Sequence, residues 1–440
     1  MSQTITPPAP GGAPPAAAPG APPQGPVGRV VDALRQGLEG TPGHLRIAAG
    51  VAILAAIVAG FGGGFALWER SSALSEAQES AANLVLIQGV RTNLGQADAD
   101  AANAFLTFGL EPQAQQQDYA TSLAAASKDL TAAARGANAD DAAVLGEVND
   151  KLTTYAGYIE SARANNREGW PVGANYLTVA SELLRGERGI LEQLSQVADH
   201  EQERVDDAYG RASLAVLWFA LAAILGVGAL VWVQVWLARR SRRILNLPAA
   251  LASALLVVVL VGAAVLMGVA QSQAEDVRDG DYARAAALGE ARVDAFDAKS
   301  EEAVTLIRRG SGTPEDKEWT EAYDASFGAI QASNPDDPLL DRLLAYSNLH
   351  QAIRALDMKG DWEGAVARAR DQGPNSANAA FAAFASDSRT ALQAAAAGTD
   401  DGLDEARGGL TPIAWLLLLA GLVAAGGAWW GISLRLDEYR

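Results

Sequence analysis

The sequence predicts an all-α membrane protein: four transmembrane helices and two extracellular up-down four-helix bundles, arranged as a tandem repeat. Three observations carry that reading. Four stretches, Ile47–Trp68, Leu214–Leu237, Ala249–Ala270 and Ile413–Leu434, are apolar over the roughly 20 residues that a bilayer crossing needs. The chain is 49% hydrophobic but only 6% aromatic, so Ala, Leu, Val and Gly dominate, a balance that favours helix over sheet. Finally, each half reads as a span, a long polar segment and a second span.

Residues 1–27 are rich in Pro, Ala and Gly and are expected to form a disordered tail. The juxtamembrane stretch 28–46 includes "GRVVDALRQGLEG", which fits a short amphipathic helix on the inner membrane face. Span 47–68 starts too late and runs too long for a cleaved signal peptide. In segment 69–211, Leu84, Ile87, Arg91, Leu94, Asp98, Ala101, Phe105 and Phe108 follow an alternating 3,4 spacing, a bundle seam. Its two charged members predict an imperfect or partly wet seam. Breaks at Gly109–Gln113, Ala134–Asp141 and Ser161–Leu177 divide the segment into four helices, with Gly109 as a C-cap and Pro112 opening the next helix.

Span 214–237 leads into loop 238–248, which holds Arg239, Arg240, Arg242 and Arg243 and no acid. Arg29, Arg35 and Arg46 precede the first span against Asp32 and Glu39. The positive-inside rule places both termini and this loop in the cytoplasm, and segments 69–211 and 271–411 outside, with net charges of about −11 and −12. Span 249–270 opens the second half. Its segment 271–411 breaks at Gly310–Asp316, Ser333–Pro338 and Lys359–Trp362, with an extra interruption at Asp371–Ser376, before span 413–434 and the tail 435–440.

The halves also match in detail. "ANAFLTFG" (Ala102–Gly109) aligns with "AVTLIRRG" (Ala303–Gly310), and Glu160–Ala174 with Arg354–Ala367, each placing a Trp just past a polar break. Up-down geometry sends the first and third turns of each bundle to the membrane-distal end. "ARANNREGWPVGA" therefore shares a tip with Gly109–Gln113, and Lys359–Trp362 shares one with "RRGSG".

Composition also excludes function classes. There are no cysteines, so no disulfide, thiolate metal site or cysteine nucleophile is available. His44, His200 and His350 lack a second histidine at helical spacing, which argues against a metal site. A net charge of −18 argues against a general nucleic-acid binder. No phosphate loop or triad set is present, and the acid pairs Asp140–Asp141, Asp206–Asp207 and Asp336–Asp337 lie near helix ends, where the helix dipole accounts for many of them. No catalytic, cofactor or metal residues are therefore assigned. The spans lack the buried charges and broken helices of a transport path. Gly60-x3-Gly64 and Gly427-x3-Gly431 suit close helix packing, and a homodimer is compatible with them. With no room for a cytoplasmic output domain, any signal would need a separate reader, moved by piston, tilt or rotation of continuous helices.

The candidate docking residues divide between the two sides. Asn165, Asn166, Arg167 and Trp170 at one tip, with Arg308, Arg309, Ser311 and Trp362 at the other, are either helix-end caps or contacts for an extracellular partner. Arg239, Arg240, Arg242 and Arg243 either fix topology and bind anionic membrane lipid or dock a cytoplasmic partner.

"ESARANNREGWPVGANYL", "VTLIRRGSG", the Arg-rich loop and the terminal "RLDEYR" resemble the actinobacterial GlnX-type membrane proteins over residues 40–440. That resemblance implies two partners: GlnH, an extracellular amino-acid-binding lipoprotein, and PknG, a cytoplasmic Ser/Thr kinase acting on nitrogen and carbon metabolism. The implied role is a transmembrane relay between them. Two alternatives remain on the residues alone: a chemoreceptor-like sensor whose bundles bind a small ligand directly, or a non-signalling membrane scaffold.

Overall fold

In the computed structural model, residues 40–107, 111–170, 172–241, 247–308 and 312–437 are described, and among them there is no strand. Helix α1 (Gly40–Ile57) passes through a π turn at Val58–Gly62 into α2 (Gly63–Phe105), so one unbroken rod runs from the first span to the far end of the head. Helix α3 (Gln113–Gly136) returns, α4 (Ala139–Arg167) rises again, and α5 (Val172–Arg185) with α6 (Ile190–Ser241) descends through the second span. The second half repeats the path: α7 (Leu247–Val277), a π turn at Arg278–Tyr282, α8 (Ala283–Ile307), α9 (Thr313–Ser333), α10 (Pro338–Met358), α11 (Trp362–Ala369), α12 (Ala377–Arg407) and α13 (Leu410–Asp437).

Local chemistry explains the boundaries. Asn138, Asp337, Asp361 and Ser376 each accept a backbone N–H of the following turn and so cap α4, α10, α11 and α12. Asp140 and Asp141 then sit in the first turn of α4, as the dipole argument expects. Pro112 occupies the N-cap of α3.

Four helical stretches are long and apolar enough to cross a membrane: Gly43–Phe105, Val172–Arg239, Leu247–Ile307 and Ala377–Leu434. They pack through small residues. A Cβ on Gly60 would stand 2.6 Å from Gly421 Cα, and one on Gly64 would stand 3.0 Å from the Ala414 carbonyl, so α1–α2 and α13 meet backbone to backbone. Gly427 meets Ala252 of α7 and Gly226 meets Ala59 in the same way. The small-residue spacing at Gly60 and Gly64, and Gly427 with them, thus serves contacts within one chain. Outward-facing Trp218 and Trp232 on α6, and Trp415 and Trp429 on α13, are exposed near opposite ends of their spans, as interfacial belts require.

In the head, α2 and α8 lie side by side at the centre, α3 and α6 pack on α2, and α9 and α12 on α8. Three expectations are corrected. The seam charges Arg91 and Asp98 are buried, not wet, because α8 covers them. The last helix of the first bundle is broken at 186–189, matching the interruption expected only in the second bundle. The stretch 238–248 expected as a loop is helical at both ends, since α6 continues to Ser241 and α7 starts at Leu247.

Candidate functional site

The two tips are built on one turn design. α4 ends with Gly169 at φ 74 and α10 with Gly360 at φ 80, conformations that glycine adopts without strain. Around them the amide of Trp170 donates to the Asn165 carbonyl and that of Gly169 to Asn166, while Asp361 donates to Leu356 and Gly360 to Asp357. Both are Schellman caps. Asn165 and Asn166 are therefore helix-end residues first. The Asn166 side-chain amide also donates to the Phe105 and Thr107 carbonyls at 3.3 and 3.4 Å, tying the third turn to the end of α2. In the second bundle Trp362 does this work, its indole N–H donating to the Leu306 carbonyl at 2.8 Å.

An arginine clamps each tip. Arg163 reaches Glu111 at 3.1 Å and Glu160 at 2.8 Å, and its guanidinium lies 4.1 Å from the Tyr119 ring. Arg354 reaches Asp316 at 2.6 Å and its own-helix neighbour Asp357. Of the candidate docking residues, Arg167 is exposed and Trp170 is 60% exposed beside exposed Val172. Arg308 pairs with Glu315 at 2.9 Å, and Trp362 is half-buried. Arg309 and Ser311 lie outside the described residues. So do Arg242 and Arg243 and the side chain of Arg240, while Arg239 is exposed at the end of α6.

Sequence reasoning missed the centre of the head. Asp98 of α2 is buried and accepts from Tyr155 of α4 at 3.0 Å and from Ser300 of α8 at 2.6 Å. Arg185, the last residue of α5, reaches Asp98 at 2.7 Å, Asp297 at 3.5 Å and Glu301 at 3.7 Å. One cation thus holds three carboxylates from two bundles. Burial lowers the Arg185 pKa, but Asp98, Asp297 and Glu301 outweigh it and raise the net value. Burial lifts Asp297 and pushes Glu301 up to about 7, against the opposing pull of Arg185. The available signal was the charged pair Arg91 and Asp98 inside an otherwise apolar 3,4 pattern.

The second bundle has a private network. Lys299 pairs with Glu302, which accepts from His350 at 2.9 Å. The His350 ring stacks on Trp319 with centroids 3.7 Å apart and planes within 6°, while Nε2 stands 3.8 Å from Asp316. Burial would raise Glu302, but Lys299 and His350 hold it at about 2. No cluster among the described residues could hold a metal ion.

Where head meets spans, Arg70 is buried at the base of α2. Its Nη1 donates to the Ala212 carbonyl of α6 at 2.8 Å and to Gln271 Oε1 of α7 at 2.7 Å. A buried guanidinium bonded to two neighbouring helices locks their relative heights. α2 therefore carries the tip contact to Asn166, the bridge at Asp98 and the collar at Arg70 along one rod.

Residues 73–210 match a family described as an actinobacterial sensor domain. The matched stretch contains α3, α4 and α5 with most of α2, and so the first half of the head. No match was found among curated proteins or among solved structures. The chain is thus an all-α, sensor-type membrane protein.

Proposed function

We propose that this protein relays the state of an amino-acid-binding lipoprotein of the GlnH kind, bound at the head, to a cytoplasmic Ser/Thr kinase of the PknG kind. In this reading the head lies outside, and the termini and the Arg239–Arg243 loop face the cytoplasm. The chain performs no chemistry of its own and works by helix displacement. The observation that carries the reading is the unbroken rod Gly40–Phe105. It passes without a loop from the tip, through Asp98 and Arg70, into the first span, so a small shift at one end moves the other.

The sensor-domain match over residues 73–210 supports the sensing half of the reading. Exposed Trp170 with Arg167 and Val172 supplies an aromatic and cationic anchor of the kind that dominates interface energetics. The exposed Arg239 end of α6 supplies a basic contact on the opposite side, for a kinase or for anionic lipid. Crosslinking in membranes should capture both partners. Capture of neither, together with unchanged phosphorylation of the kinase substrate in a deletion strain, would sink the relay.

A further inference from the structure

α2 and α8 run side by side and parallel at the centre of the head. Two parallel helices can pack at any register. These pack so that residues meet their own counterparts in the other half. The repeat aligns Ala102 with Ala303, a displacement of 201 residues. Arg70 donates to Gln271 across the same 201 residues, at 2.7 Å. Gly289 lies against the Gln88 side chain, and a Cβ on Gly95 would stand 3.1 Å from the Phe296 Cβ. Both pairs keep that displacement. The flanking bonds, Gln88 to the Ala286 carbonyl, Arg91 to Glu290 and Ser300 to Asp98, depart from it by three residues or fewer. Such a register is what a twofold axis along the rods imposes, since each residue near the axis faces its own copy.

Around this pair the contacts cross over in the same sense. Gln78 of α2 donates to the Asp400 carbonyl of α12, and Arg407 of α12 donates to Ser75. The π turn of the second half returns the contact to α6 of the first, Arg278 reaching Asp206 at 2.7 Å. The twofold stops at the spans. Gly60 meets Gly421, whereas their counterparts Val261 and Ala220 are exposed. The first span is 50% buried and the others 28–33%, so one half holds the inner position. Two identical chains would exchange places; a covalent link fixes which half lies inside. Away from the central pair, the head offers no second face of this kind. Among its described residues, the large apolar side chains left exposed are Trp170, Val172, Val179, Leu344 and Met358. Divided between two bundles, they fall short of the apolar centre that an interface of roughly 1,200 Å² requires.

We infer that the α2–α8 face is the self-recognition surface of a two-span sensor unit, filled here by the chain's own second half. A single chain is then the complete receptor pair and takes no second copy. Residues 73–210, the matched sensor domain, are the head of one such unit. Fusion also lets the two heads diverge. Asp98 and Lys299 are counterparts of opposite charge, the first bonded to Tyr155 and the second 5.3 Å from the Tyr346 ring. A homodimer must place the same charge at both positions. The inference does not depend on the relay reading, since it needs neither partner.

Native mass spectrometry of the full chain in lipid nanodiscs should give the mass of one chain, 45.6 kDa. Cysteine chemistry tests the face itself, since the chain has no cysteine of its own. Gly95→Cys combined with Phe296→Cys should close a disulfide inside one chain. The two Cβ positions stand 3.1 Å apart, within reach of the ~3.8 Å that the bond prefers. Both thiols should then be lost to labelling in membranes, while the gel mobility stays that of one chain. Gly95→Cys alone and Phe296→Cys alone should stay uncrosslinked, whereas at the axis of a homodimer each would meet its twin. The native mass needs no substitution, so it decides the question if a variant fails to fold. A two-chain mass, covalent dimers from any of the three variants, or two free thiols in the folded double variant would overturn the inference.

Discussion

In the first bundle the apolar core runs on without a gap from the spans, through Leu67, Leu74 and Ile87 to Tyr155 and Ile159. In the second bundle it closes on itself around Phe296, Trp319, Tyr346, Ile353 and Phe384, and α2 lends it Ala102 and Leu106. The polar groups divide the same way. Asp98, buried in the first bundle, reaches across to Ser300, whereas Lys299 of the second bundle turns inward to Glu302 and His350. Two copies of one architecture have therefore separated in role. Both are joined to the spans by long helices, but the first shares its apolar core with the spans, whereas the second keeps a core of its own and meets the first along a charged seam.

The largest expected effect breaks that seam. Arg185→Leu leaves the buried Asp98 and Glu301, and half-buried Asp297, without the cation they share, a loss of about 3–5 kcal/mol. Hydrogen exchange should show α2 and α8 losing protection together. Trp319→Ala removes the ring stacked on His350 and should cost a comparable ~3–5 kcal/mol, but with deprotection confined to α8, α9 and α10. Equal spreading in both variants would erase the distinction between the bundles.

A pure packing probe comes next. A Cβ on Gly95 would stand 3.1 Å from the Phe296 Cβ, so Gly95→Val should force the bundles apart at about 1–3 kcal/mol. Thermal melts of the full chain measure it, and an unchanged midpoint would place the contact outside the stabilising interface.

The pH profile distinguishes the seam from the private network. Asp100, Asp294 and Glu301 are each held up at about 7, so the folded state keeps protons that the unfolded chain has released. Their effect is that stability falls as pH rises through the window from the ordinary carboxylate range to ~7. Glu302 and Asp316 are held down at about 2, so their contribution is present above the ordinary range and lost as pH falls toward 2. The melting temperature should peak within the ordinary carboxylate range, at about pH 4, and Glu301→Gln should flatten its decline toward pH 7. A decline as steep in that variant as in the parent would remove Glu301 from the account.

The smallest stability effects lie at the tips. Trp362→Phe loses the indole bond to the Leu306 carbonyl and should cost about 1 kcal/mol. Trp170→Ala, at an exposed position, should cost less than about 0.5 kcal/mol and yet reduce capture of the proposed binding-protein partner. Capture undiminished would leave Trp170 as a cap.

Much was legible before any coordinates. Span length, the Ala-rich helical stretches and the breaks at Ala134–Asp141, Ser161–Leu177 and Ser333–Pro338 are local properties, written within a few turns of chain. The tip assignment followed from counting helices, and the Asn166 and Trp362 bonds carry it into contact. The seam charges were visible as exceptions to an apolar pattern, but their meaning was not. Whether a charge inside a helical stripe is wet or buried depends on what packs over it, and that partner lies some 200 residues away in sequence. The same limit hid Arg70, ordinary just past a span, and Arg185, ordinary at a helix end, until distant carbonyls and carboxylates surround them. The sequence by itself determined an all-α chain with four apolar spans and repeated turn chemistry, because helix propensity, capping and hydrophobic length act over short range. Only the tertiary structure decided which helices sit back to back and which charges neutralise one another, because burial is a property of neighbours brought together by the fold.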